Sequence, residues 1–447
     1  MTDLEFYELR YSGAAASVVR GFRAVYLGLF FNCFIMGTVM LAACKLANIL
    51  FGLPPCQTIV ICRILNVIFA AHPGLWGVLV IDMIQFFIKM TAVIAAAYFG
   101  LVEVARRTGA GGGALAGLQR LVEMLGARQV TFSDGSQPVM SAIDGRGQPI
   151  LDILPNFAMW DLALAIFIMP IAVGWWANWY PGAEPGGGSY IPQRMLAAKT
   201  EKDSLGGTLF FNLAHYVLRP WPWIITALCS IVIFPELKDI QAAFPAADPR
   251  LIGHDSAFPA MLMFLPAGFV GLMVGGLIAA NSSTILTHLN WGSSYLVHDF
   301  YRRFVKRDAP ERHYVTAGRI CTVLLYVAAG LLGLTLESAQ GAFQIIISIG
   351  AGTGLLYLLR WFWWRINAWC EVVAMISSFA ISVVFFVLAK SGYGLPFAQT
   401  VLYSVAFTTA CWLVAAFASP PTSRDTLIAF YRKVHPAGPG WRTVRRA

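Results

Sequence analysis

Ten apolar runs, at 22–51, 57–71, 75–103, 156–179, 205–235, 260–288, 313–336, 341–363, 366–390 and 396–418, occupy most of this 447-residue chain. Most of them match the ~20 residues that a helix needs to cross the hydrocarbon core of a bilayer. In hydrocarbon, each backbone N–H and C=O must be satisfied inside its own segment, so such runs become helices. The expected fold is an all-α polytopic membrane protein with about ten transmembrane helices. Only 12% of the residues are charged, where soluble domains average about 25%. The second run is short and holds Arg63.

The net charge of +9 has a topological origin. With the N-terminus inside and the runs alternating, and with Arg23, Arg319, Arg360 and Lys390 near run ends counted with the sides they adjoin, twenty Lys and Arg fall on the inner side, eight on the outer side and four within the runs. Cytoplasmic loops carry this excess. Both ends are therefore placed in the cytoplasm, the lipid bilayer of the cytoplasmic membrane is the expected surrounding, and nucleic acid is not an expected partner. The expected organisation is a cytoplasmic segment 1–21, a transmembrane core 22–418 with an extracytoplasmic loop 104–155, and a cytoplasmic amphipathic tail 419–447. Leu115–Leu125 in the loop has the pattern of one short helix. Leu427, Ile428, Phe430, Tyr431 and Val434 beside Arg432 and Lys433 predict a tail helix lying on the membrane surface. The eight cysteines are scattered and form no CxxC pair, as buried apolar residues would.

Polar residues inside the runs carry any chemistry. Asn281, Ser282, Ser283, Thr284 and Thr287 crowd one or two helical turns. Their hydroxyls either bond back to their own helix, join helices, or line the path of a small hard cation such as sodium. Asp82 lies in the third run with Gln85 one turn on and Lys89 two turns on. An intramembrane carboxylate there is either an ion relay or half of a local pair with Lys89. His215 shares a face with Asn212 and Arg219, just before Pro220 and Pro222, which are expected to kink the helix. Glu184-Pro185-Gly186-Gly187-Gly188 follows the fourth run, where a broken helix would expose free backbone groups. Asp161 and Glu371 lie near run ends, as structural groups do, and His288 follows Thr284 by one turn. Trp361, Trp363, Trp364 and Trp369 with Arg360 and Arg365 have the composition of an interfacial anchoring belt. No nucleotide loop, dinucleotide fingerprint, nucleophile elbow or metal-ligand spacing occurs. Energy is thus expected from an ion gradient, with no organic cofactor and no enzymatic role.

Several segments together resemble the sodium:solute symporter family. Gln193-Arg194-Met195-Leu196-Ala197-Ala198-Lys199 is similar to the motif after the family's broken sixth core helix. Ala280 through Asn290 to Asp299-Phe300-Tyr301 resembles its eighth core helix, Asp82 with Gln85 its fifth, and Phe430 through Trp441 a subfamily tail. The resemblance implies a leucine-transporter-type inverted-repeat fold. It implies sodium bound by Ser283, Thr284 and the Ala280 carbonyl, and a substrate pocket near His215, Tyr190, Phe343 and Gln344, with Glu184 beside it. The chain departs from the family at its start: Leu4 through Tyr11 resembles the loop after the second core helix, so the fold is expected to be N-terminally incomplete. Glu184 through Gly188 also differs from the sugar and proline carriers. The resulting expectation is sodium-coupled symport of a small organic solute. The alternative is a degenerate or sensor-like relative that does not transport.

Overall fold

A computed structural model describes residues 3–69, 74–126, 151, 154, 157–158, 160–174, 195, 197–336 and 338–445. After a short helix at Phe6–Arg10 come α1 (Gly13–Phe51), α2 (Pro55–Phe69), α3 (Gly74–Arg107), α4 (Gly113–Gly126), α5 (160–174) and α6 (Glu201–Ile233). Then follow α7 (Ala267–Val305), α8 (Glu311–Thr335), α9 (Ala339–Leu359), α10 (Ala368–Lys390), α11 (Phe397–Ala418) and α12 (Arg424–Val434). Every one of the ten apolar runs holds a helix. Among the described residues, 7 helices are long and apolar enough to cross a membrane. The other three, α2, α5 and the apolar Gln344–Leu359 part of α9, are shorter.

Proline placement explains two irregular helices. In α5 the turns flanking Met169 are wide π turns, Leu164–Ile168 and Pro170–Gly174; Pro170 has no N–H for the regular ladder. In α6 the irregularity falls before the prolines. A π stretch at Ala214–Leu218 absorbs the missing donor, and the helix resumes over Pro220–Ile233.

Three packing centres organise the bundle. The apolar sides of α1, α7 and α8 share a core that includes Met36, Met40, Ile285, Leu289 and Leu325. α3 packs along the second half of α6 and along α7, while α9, α10 and α11 form a third group. The α1–α7 crossing is a close one. A Cβ added to Gly292 would lie 2.1 Å from Asn32 Nδ2 and 2.7 Å from the Gly28 carbonyl, so the two backbones touch there. Asn32 Nδ2 donates to the His288 carbonyl at 2.7 Å, and Asn32 Oδ1 accepts from His288 Nδ1. An amide oxygen can only accept, which assigns the imidazole proton to Nδ1. His288 is therefore a buried strut between α1 and α7. Gly292→Ala is expected to lower thermal stability by about 1–3 kcal/mol, measured as the unfolding midpoint in detergent, because one of the atoms it meets is backbone that cannot rotate away.

Charged clamps tie the basic end of the bundle. Arg20 bonds Asp299, which is fully buried, at 2.6 Å and Glu8 at 2.7 Å, and Arg303 also reaches Glu8. Asp299 therefore holds α1 to the last turns of α7. A second cluster surrounds Glu371, itself fully buried. Arg360 Nη1 donates to it at 3.1 Å, and Tyr11 donates its hydroxyl to the same carboxylate. Burial pushes the Tyr11 phenol well above its ordinary value, so the ring is a neutral donor.

The tail helix does not spread its apolar side on lipid. Leu427 and Phe430 are buried with Trp441 and Val444 in a cluster that also takes in Phe6, Trp361 and Trp364. Part of the tryptophan belt is thus a docking platform rather than an anchor. Trp361 packs tilted on Phe6 with ring centroids 5.0 Å apart, and its carbonyl accepts the Trp441 indole N–H at 2.8 Å. Arg10, fully buried, lies 4.8 Å from the Trp441 ring centroid and 5.4 Å from that of Phe430. Its Nη2 faces the carbonyls of Trp363 and Trp364, each at 3.3 Å.

Candidate functional site

α7 is apolar over most of its length because it is packed or lipid-facing on several sides, yet its middle is polar. Thr284 donates its hydroxyl to the Ala280 carbonyl at 2.9 Å, and Thr287 donates to the Ser283 carbonyl at 2.8 Å. Both are i to i−4 back-bonds. The bond brings the Ala280 carbonyl oxygen and the Thr284 hydroxyl oxygen together on one side of the helix. Ala280, Ser283 and Thr284 are all half-buried, whereas Ser282 turns inward and is buried. The two neutral oxygens of Ala280 and Thr284 suit a hard monovalent cation better than a soft or divalent one, for which carboxylates, imidazoles or thiolates would be needed.

α3 runs antiparallel along this part of α7. Phe99 meets Phe269 at 5.9 Å, Ala92, Val93 and Ala96 cluster with Met273, and Lys89 passes over Gly276. Higher numbers on α3 thus meet lower numbers on α7. Carried one turn further, this register places position 85 at the depth of Ala280. Two turns on, it places position 82 at the depth of Ser283. Gln85 is buried, and its Oε1 finds no hydrogen-bond partner among the described residues; nor does Asn281 Nδ2. A buried amide oxygen without a donor, at the depth of the Ala280 carbonyl, fits a place where a cation passes or binds. Asp82 lies on α3, but its side chain is outside the described residues.

The substrate candidates are less gathered. The described partners of His215 lie on its own helix: Arg219 Nη1 is 3.1 Å from Nδ1, and the Phe211 ring stacks at 5.2 Å. None of the residues from Glu201 to Leu218 is fully buried. Gln344 is half-buried on the first half of α9, where Ser338 caps the helix by accepting from Gly341 N–H at 3.1 Å. The Phe343 side chain, Glu184, Tyr190 and the Gln193–Arg194 part of the motif fall outside the described residues. The residues that sequence reasoning passed over are Gln85 as an unpartnered acceptor and the Arg20–Asp299 clamp. The signal for the first was present, since Gln85 sits one turn from Asp82. For the second, sequence separation hid the pair.

Comparison with known proteins places these features in context. The model of the sodium:solute symporter family matches residues 2–378. The sodium/glucose cotransporter of Vibrio parahaemolyticus is 24% identical over 433 residues, covering 94% of this chain and 71% of that protein. The sodium/myo-inositol cotransporter 2 of Oryctolagus cuniculus is 26% identical over 219 residues, covering 45% of this chain and 32% of its own length. Among solved structures, a Na+-coupled sialic acid symporter in a substrate-bound outward-open state superposes with a TM-score of 0.60 at 17% identity. That match covers 94% of this chain and 78% of the other.

Proposed function

The chain belongs to the sodium:solute symporter family and is a sodium-coupled, multi-pass symporter with a leucine-transporter-type fold; on that premise we propose that its coupling ion binds on α7 at Ala280, Ser283 and Thr284. The observation that carries this reading is the Ala280–Thr284 oxygen pair, 2.9 Å apart, at the depth of the unpartnered Gln85 Oε1. Sodium entering there takes the Ala280 carbonyl and the Thr284 hydroxyl as ligands, and the hydroxyl proton turns away from the back-bond. Asp82, at the depth of Ser283, supplies the negative charge that draws the ion in and relays it. Because α3 and α7 both contribute, occupancy stabilises one mutual arrangement of these helices over another, which is how an ion gradient biases alternating access.

The cargo in this reading is a small organic solute. It binds beside the segment that holds Glu184 and Tyr190, with His215 on α6 and Phe343 and Gln344 on α9 completing the pocket. The membrane is the cytoplasmic one, with the basic end of the bundle inside. The test is uptake of a panel of sugars, polyols, amino acids and carboxylates into proteoliposomes, driven by an inward sodium gradient and compared with a potassium gradient. At least one solute is expected to accumulate only with sodium. Equal accumulation of every solute under both ions would overturn the reading. For that solute, His215→Ala is expected to shift apparent solute affinity about tenfold, the loss of one hydrogen-bonded contact, while apparent sodium affinity moves less than about twofold. Equal shifts in both constants would remove His215 from the pocket.

A further inference from the structure

The tail segment from Tyr431 to Arg445 lies outside the proposed ion and solute sites, yet it is built in detail. α12 ends at Val434, and His435 follows with φ of 48°, the one non-glycine residue with positive φ among the described residues. Glycine ordinarily takes this position, so an imidazole there is held at a conformational cost. Gly440 then passes so close to the α9–α10 junction that a Cβ would lie 2.1 Å from the Phe362 carbonyl oxygen. Trp441, buried and bonded to Trp361, fixes the far end. The loop between these points borders a half-open cleft of about 610 Å³, lined among others by Tyr431, His435, Trp441, Arg442 and Arg445. Its size is that of a ligand pocket.

The lining has one sign. It holds two guanidinium groups and an imidazole, and no carboxylate. Arg442 and Arg445 are exposed and make no ion pair among the described residues. Arg432 and Lys433 add charge on the last turn of α12. Planar guanidinium pairs match the oxygens of a phosphate, and the aromatic walls of Tyr431 and Trp441 leave room for the group that carries it. The pocket also adjoins Trp361 and Phe362 at the foot of α9, and a basic cluster at the end of a spanning helix attracts anionic headgroups. We propose that this cavity binds the phosphate group of an anionic ester, either a phospholipid headgroup of the adjacent leaflet or a free phosphate compound. The loop that forms the pocket is held in shape by the contacts of Gly440 and Trp441 with the α9–α10 junction, so a ligand that needs that shape favours the docked tail.

The test uses the full chain in nanodiscs and reads the rate of tryptic cleavage after Arg432 and Lys433. Discs of phosphatidylcholine alone are compared with discs containing phosphatidylglycerol, and with phosphatidylcholine discs plus inorganic phosphate. Slowing of at least about tenfold by phosphatidylglycerol alone assigns a lipid headgroup; slowing by inorganic phosphate as well assigns a free anion. In either case R442Q/R445Q is expected to abolish the slowing while digesting at the wild-type rate in phosphatidylcholine. If that variant digests faster at baseline, H435G, which keeps the backbone conformation and removes the imidazole, is expected to weaken the slowing. No slowing in the wild type, or equal slowing in wild type and both variants, overturns the proposal.

Discussion

Glu371→Ala is expected to destabilise the protein by about 3–5 kcal/mol, because it deletes one member of a buried ion pair and strands the other. Arg360 and Glu371 are 1% and 0% exposed at their side chains, and they meet at 3.1 Å. Arg10 and Arg23 are buried nearby, with Arg23 stacked 4.4 Å over Tyr357 and Arg360 5.0 Å from the same ring. Three guanidinium groups therefore share the one carboxylate described in this cluster. Removing it leaves positive charge without a described counter-charge, facing the Tyr7 hydroxyl, carbonyls and ring faces, and water must enter or the α9–α10 junction must open. The measurement is the thermal midpoint in detergent together with the amount of protein accumulated in the membrane. Glu371→Gln retains a partner for the Tyr11 hydroxyl and is expected to lose less. The double variant Glu371→Ala with Arg360→Met is expected to be more stable than Glu371→Ala alone, since it removes the stranded charge. A midpoint unchanged by Glu371→Ala would mean that the cluster is hydrated and the pair contributes little.

Thr284→Ala carries the second large effect, on ion coupling rather than on folding. The hydroxyl's described bond is a back-bond to Ala280, so its loss removes little that holds α7 together. As a ligand to a cation in a site of low polarity, the same oxygen contributes on the order of 1.5–3 kcal/mol. Apparent sodium affinity for uptake is therefore expected to weaken about 10- to 150-fold, with the unfolding midpoint nearly unchanged. Thr287→Ala is the control. It makes the same kind of bond one turn on, to Ser283 at 2.8 Å, and is expected to leave sodium activation within about twofold. If both variants respond alike, the polar stretch is a packing feature and the ion binds elsewhere.

The helices were legible because hydrocarbon imposes a length and a composition that few other structures share. Their ends were less so. α1 begins at Gly13, well before its apolar run starts at residue 22, because residues 13–21 pack on the last turns of α7 rather than on lipid. The tail was amphipathic on sight, but an apolar stripe does not say whether lipid or protein covers it; Phe6 and Trp361 cover it here. At the site, a back-bond was one of three readings open for the hydroxyls, and it is the one Thr284 makes to Ala280. The depth match between Gln85 and Ala280 could not be read, because it depends on how far α3 slides along α7. Glu371 read as a structural group, as the fold has it, but its partners Tyr11 and Arg360 are 360 and 11 residues away.

The stacking of Arg10 on Trp441 also sets a clock on biosynthesis. The guanidinium is made early and its aromatic cover comes last, after about 431 further residues. At ribosomal speeds of about 5–20 residues per second, the gap is roughly 20–90 s. Throughout that interval the carbonyls at the foot of α9 either are not yet synthesised or stand without their lid. A nascent chain cut short anywhere before Trp441 lacks both the ring over Arg10 and the indole that bonds the Trp361 carbonyl.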